Sequence, residues 1–190
     1  MTQAHATYDK ADTAQKAAAI TTIIDHLVDA LGGEPSCTVR RAIILTDIDA
    51  HQGTTQAEIL ARMDDVHKSA LNRDVEWLYD HGCILRQPDP DNARILRLST
   101  CGYAKKNLDY ALKYFDFSHS AMLHFLENMN GVFGTKKPTL RDAKIISFLG
   151  YKKSVTRQEI FDNLYSGPVA TDNRAINNLI NFGMVQKSDE

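Results

Sequence analysis

Displaced by 101 residues, this chain lies over itself without a gap, and that self-match limits its fold more than any other feature. VRRAIILTDIDAHQGTTQAEILARMDDVHKSALNRDVEWLYDHGCILRQ, from Val39, superposes on LRDAKIISFLGYKKSVTRQEIFDNLYSGPVATDNRAINNLINFGMVQKS, from Leu140. About ten of some fifty aligned pairs are identical, and they fall where a shared fold needs them. Arg40 meets Arg141, Ala42 meets Ala143 and Ile44 meets Ile145. Thr55, Glu58 and Ile59 meet Thr156, Glu159 and Ile160; Leu78 meets Leu179; Gly82 meets Gly183; and Asn72-Arg73 meets Asn173-Arg174. One unit is expected twice.

Its local grammar is that of three short helices and a ribbon. Residues 39 to 51 set Val39, Ala42, Ile43 and Leu45 on a helical repeat. Thr55-Gln-Ala-Glu58 is a capping box, in which hydroxyl and carboxylate each satisfy an orphan amide at a helix start, and Ile59, Leu60 and Met63 then face inward. A third helix, from about His67 to His81, buries Leu71, Val75 and Leu78 and closes on Gly82, which tolerates the left-handed cap. Two antiparallel strands follow, Ile84 to Gln87 and Arg94 to Leu98, joined by a Pro-Asp turn. Such an arrangement is a winged helix-turn-helix, whose third helix enters the DNA major groove while the ribbon reaches a neighbouring groove or phosphates. Proline and Asp/Asn hold the turn away from the body, and Arg94 and Arg97 offer charge to a phosphate backbone.

Around the repeat, residues 11 to 31 carry Ile20, Ile23, Ile24, Leu27, Val28 and Leu31 on one helical face before Gly32-Gly33. That stripe packs either on the chain's own core or on a partner subunit. Residues 102 to 133 read as two helices, the first with Tyr103, Leu108, Leu112 and Phe115, the second opened by Ser118 and carrying Met122, Leu123, Phe125, Leu126 and Met129. Gly131, Gly134, Lys136-Lys137 and Pro138 make a linker. The expected class is mainly α with a small β-wing: tandem winged helix-turn-helix units joined by long helices. The parts are an N-terminal helix with a dimerisation role (1–34), a winged unit (35–101), linking helices that also serve dimerisation (102–135) and a second helix-turn-helix unit (136–190). At Glu190 the second copy reaches the place where a second strand would begin, so it lacks a full wing.

A net charge of −2 excludes a histone-like polycation, yet leaves nucleic acid open because only the local face matters. Cys37, Cys83 and Cys101 show no metal spacing and their odd number closes no disulfide framework, which fits a reducing cytoplasm. The N-terminus has no secretory pattern and no apolar run reaches the roughly 18 residues of a membrane span. There is no Walker loop, GxSxG, HExxH or carboxylate pair at useful spacing, and the seven histidines have no ligand spacing, so neither an enzyme nor a cofactor or metal site is expected.

VHKSALNRDVEWLYDHGCILRQPDPDNARILRLSTCG, from Val66 to Gly102, resembles the recognition helix, wing and following helix start of the MarR (multiple-antibiotic-resistance) regulators. The likeness extends over residues 11 to 117. It implies a dimeric winged-helix DNA-binding protein, a transcriptional regulator whose terminal helices form the dimer interface. Carried over by position, Lys68, Ser69, Asn72 and Arg73 would face the major groove, Arg86 would support the wing, and Arg94 would stand near its tip. An effector pocket for a small molecule between the dimer helices and the wing unit is implied by the same resemblance, as is an oxidation-sensing thiol of the kind some such regulators keep, here Cys37. In the second copy Thr171, Arg174, Asn177, Asn178 and Asn181 make an acid-poor polar face suited to a groove, and Lys136, Lys137, Lys152, Lys153 and Arg157 suit phosphates. Trp77 and Tyr79, flanking Leu78, are expected to pack against the linking helices. The function expected is sequence-specific binding of double-stranded DNA as a repressor acting by operator occupancy. Two alternatives stand beside it: a plasmid or phage replication or partition protein, and a winged-helix protein-interaction module.

Overall fold

The computed structural model describes residues 10–63, 66–114, 116–134, 137–152, 154–164 and 168–187, without the side chains of 10–14, 17 and 151. Phe115, Lys136 and Lys153 lie outside the described residues. Two compact units are formed, one from Asp25–Leu140 and one from the described residues of Met1–Ile24 and Arg141–Glu190. Helix α1, Lys10–Ala30, spans their sequence boundary, and its Ile23, Ile24, Leu27 and Ala30, together with Leu31 just beyond it, are buried within the single chain.

In the larger unit, helix α2 (Val39–Ala50) is the axis. Every residue from Ala42 to Asp49 is buried, so this is a helix enclosed all round, not one with a single apolar stripe. The enclosure comes from α6 (His119–Val132), which packs most extensively along it, with α4 (Lys68–Asp80) and strand β3 (Leu96–Thr100) on other sides. A polar residue on such a helix needs a partner. Thr46 donates to the carbonyl of Ala42 at 2.8 Å. Asp47 takes a two-pronged bond from Arg62, Nε at 2.9 Å and Nη2 at 2.6 Å. Asp49, with no exposed side-chain surface, is bound by the Thr100 hydroxyl, the Gln52 amide at 2.8 Å, Lys105 at 3.2 Å and His119 at 2.7 Å. Burial alone would raise its pKa, but the Thr100 and His119 hydrogen bonds and the Lys105 ammonium outweigh that and hold the carboxyl below its ordinary value.

Helix α3, Gln56–Arg62, starts at the expected capping box: Thr55 N–H donates to Glu58 at 2.7 Å and Glu58 N–H donates to the Thr55 hydroxyl at 3.3 Å. Of its expected inward residues Ile59 is buried, whereas Leu60 and Met63 are half-buried. Helix α5, Gly102–Tyr114, lies beside the end of α1, with the His26 ring 6.0 Å from Tyr110. Tyr103, grouped with that helix's apolar residues in the sequence, is largely exposed. Ser118 caps α6 by accepting from Ala121 N–H at 3.1 Å.

The sheet has three antiparallel strands, in the order β1-β3-β2, where β1 is Thr54–Thr55 and β2 is Ile84–Pro88. The sequence predicts two strands; β1 is a third, and at two residues it is too short to carry a periodicity. The expected second strand also shifts: Arg94 and Ile95 lie in the turn, and pairing begins at Pro88 with Leu96. Asp89 is the cause. Its carboxylate accepts the N–H groups of Asp91 at 2.8 Å and Asn92 at 3.1 Å and pairs with Arg97 at 2.5 Å, closing a longer self-satisfied turn. Pro88 is tolerated because β2 is an edge strand.

In the smaller unit, α7 (Leu140–Lys152), α8 (Arg157–Asn163) and α9 (Val169–Asn181) start at the positions of α2, α3 and α4 displaced by 101 residues. A capping box again opens the second of the three, Thr156 N–H to Glu159 at 2.8 Å, and Gly183, like Gly82, has a positive φ, 71° against 65°.

Candidate nucleic-acid interface

Helix α4 has two working sides. Leu71, Asp74, Val75 and Leu78 point into the core, while Lys68, Ser69, Asn72, Arg73 and Glu76 are exposed, the three-and-four spacing that divides any helix into faces. Asp74 fixes its position. It accepts Arg40 Nε at 2.6 Å and Arg41 Nε at 3.1 Å, so two cations from the first turn of α2 clamp one buried carboxylate. Arg41 also lies 4.2 Å over the Trp77 ring, whose other partner is the stacked His81 ring at 3.8 Å. Trp77 is thus held between α2 and its own helix end. Its sequence neighbours gave no sign of this, since Arg41 is 36 positions away.

On the other flank Arg86 reaches from β2 to Glu76 at 2.7 Å and lies 4.3 Å over the Tyr79 ring. That side chain binds the wing to α4. Arg97 is likewise engaged, with Asp89 and with the Gly53 carbonyl at 3.0 Å. Between these braces, Lys68, Ser69, Asn72 and Arg73 form a strip whose side chains make no hydrogen bond or ion pair among the described residues, and the Arg94 side chain in the wing turn is equally open. The first two turns of α4 therefore present two cations, a hydroxyl and a carboxamide with no acid among them, and the wing turn adds a third cation.

The smaller unit is built differently at the same places. On α9, Asp172, Ala175, Ile176 and Leu179 are buried, Thr171 is half-buried, and Arg174, Asn177 and Asn178 are exposed. Arg141 pairs with Asp172 at 3.2 Å, both almost fully buried, so the arginine matching Arg40 again finds an aspartate on the third helix, though one turn earlier. Arg157 donates to Asn173 at 2.6 Å and to Asn177 at 2.7 Å. Asn173 is thereby committed, unlike Asn72, and of the recurring pair only Arg174 is open. Lys152 sits 3.9 Å from Glu159.

Cys37 is fully buried, and burial pushes its thiol up to about 11 in spite of Arg41 Nη1 at 3.8 Å. Burial raises Cys83 to about 11 as well. A thiol so shifted holds almost no thiolate near neutrality, which speaks against a reactive sensor at Cys37. Among the described residues no group of three or more His, Cys, Asp or Glu could hold a metal, and no helix is long and apolar enough to cross a membrane.

Comparison with curated proteins returned no match, and neither did comparison with solved structures. A family model does match, over residues 38–96, which run from the Thr38 cap of α2 through α3 and α4 to the first residue of β3. This stretch is similar to the MarR family's winged-helix unit, a fold of transcriptional regulators.

Proposed function

We propose that the protein binds double-stranded DNA sequence-specifically and represses transcription by occupying its operator. The observation that carries this reading is the open strip Lys68, Ser69, Asn72 and Arg73 on a helix clamped at both flanks. In helix-turn-helix proteins the first turns of the recognition helix meet the base edges. Arginine can pair two-pronged with guanine and asparagine with adenine, and lysine and serine suit phosphates. A rigid mount matters because such pairs depend on orientation, and the Asp74 and Glu76 braces supply it without using the strip. In this reading Arg86 positions the wing, and Arg94 contacts the backbone from the turn.

The MarR match also supports a homodimer on a palindromic site, with a small-molecule effector as its release signal. In the second unit Arg174 and Asn178, with Thr171 at the strip's start, would extend the contact, while Asn177 serves through its bond to Arg157. The constant displacement of α7, α8 and α9 from α2, α3 and α4 favours one second reading, a replication or partition protein in which two units read repeated sites. Selection of bound sequences from a random DNA pool separates the two. A palindrome is expected; direct repeats would favour the second reading, and no enriched sequence would overturn both.

A further inference from the structure

The same threonine stands before each copy of the repeat. Thr38 and Thr139 are 101 positions apart, the displacement of the repeat itself, and each directly precedes the first helix of its copy, α2 or α7. Within the larger unit the two residues meet. They form an antiparallel bridge in which Val39 N–H donates to the Pro138 carbonyl at 2.9 Å and Leu140 N–H donates to the Cys37 carbonyl at 2.8 Å. Under the displacement Cys37 corresponds to Pro138 and Val39 to Leu140, so the second bond is the first with the two segments exchanged. Burial follows the same exchange: Cys37, Val39, Pro138 and Leu140 are buried, and the two threonines between them are half-buried.

This reciprocity limits how the repeat is used. Segments related by a translation or a screw make head-to-tail contacts, in which one patch meets a different patch and the contact is not returned. Here each segment gives the other the contact that it receives, which marks an isologous, two-fold pairing. A local two-fold axis therefore passes between Thr38 and Thr139. In helix-turn-helix proteins such symmetry belongs to the two subunits of a dimer, and the palindromy of the operator mirrors it. This chain carries a local axis between two segments of its own.

The exposed strips of the two copies agree at one position and differ at others. Arg73 and Arg174 correspond, and both are exposed. Lys68 and Ser69, however, become Val169 and Ala170, and Asn72 becomes Asn173, which accepts from Arg157 at 2.6 Å. The second copy thus offers fewer groups to phosphates and base edges.

We propose that one chain reads one inverted DNA repeat, the first copy on one half-site and the second copy on the other. The inference rests on the DNA-binding reading and puts the second copy where that reading has a second subunit. The partner is an imperfect palindrome. Both halves carry a guanine for the arginine, and the half under the first copy is specified at more positions.

The test takes the full chain with the duplex selected from a random pool and counts chains per duplex by native mass spectrometry. One chain per inverted repeat is expected, with one half of the repeat more constrained than the other. Arg174→Ala should lower affinity for that duplex about tenfold and relax sequence preference in the weaker half, whereas Arg73→Ala relaxes it in the stronger half. Both arginines are exposed, so neither substitution disturbs the core. Two chains on a single inverted repeat overturn the inference and leave DNA binding standing. Direct repeats do the same, as do losses that either substitution spreads equally over both halves. Failure to enrich any sequence removes the DNA-binding reading itself, and this inference with it.

Discussion

Arg73 stands on the outer face of α4 with no partner among the described residues, so its removal disturbs no internal contact. Arg73→Ala is therefore expected to leave stability unchanged within about 0.5 kcal/mol. On the selected DNA site it should cost about 1 to 3 kcal/mol, roughly 5- to 150-fold, and much less on random DNA. Equal losses on both, measured by gel shift at one salt concentration, would mean that it reads no base. Asp49 is the opposite kind of residue, hidden and saturated with partners. Because its folded-state pKa is depressed, its contribution is complete above the ordinary aspartate pKa of about 3.9 and is lost as pH falls through the lower folded value. Asp49→Asn should cost about 2 kcal/mol in urea unfolding at pH 7, and the gap from the parent should narrow below about pH 4.

At the scale of elements, the same device opens α3 and α8. Thr55→Ala and Thr156→Ala each remove the oxygen that satisfies an N3 amide, so each should cost about 1 kcal/mol of stability, read by thermal or urea unfolding. Clearly unequal costs would mean that the two boxes carry different loads in their units. The wing shows how a local rule yields to its surroundings. The Pro-Asp turn was legible, but its length was not, because Asp89 gathers two backbone donors and Arg97 and so draws Arg94 and Ile95 out of the strand. The boundary was set by where one carboxylate could satisfy all its partners.

For the molecule as a whole, the weight of the second unit is decided by Arg174. If both units meet DNA, Arg174→Ala should shorten the footprint and lower affinity by about 1 to 3 kcal/mol. It should also reduce the slope of log affinity against log salt by about 1. An unchanged footprint and slope would confine DNA contact to the first unit. The apparent symmetry of the repeat already breaks at this scale, since Arg157 occupies Asn173 and Asn177 while nothing engages Asn72 among the described residues.

What the amino-acid order determined on its own is everything that depends on near neighbours. Helix starts at Thr55 and Thr156, closures at Gly82 and Gly183, the buried row Leu71, Val75 and Leu78 and the outward strip of α4 all arise from contacts within a few residues. Only the tertiary structure decided which charges are spent. Arg40, Arg41, Arg62, Arg86 and Arg97 look alike in the sequence to Arg73, Arg94 and Arg174, yet the first five meet carboxylates brought from 8 to 34 positions away. An ion pair depends on distance in space, and the chain must fold before that distance exists.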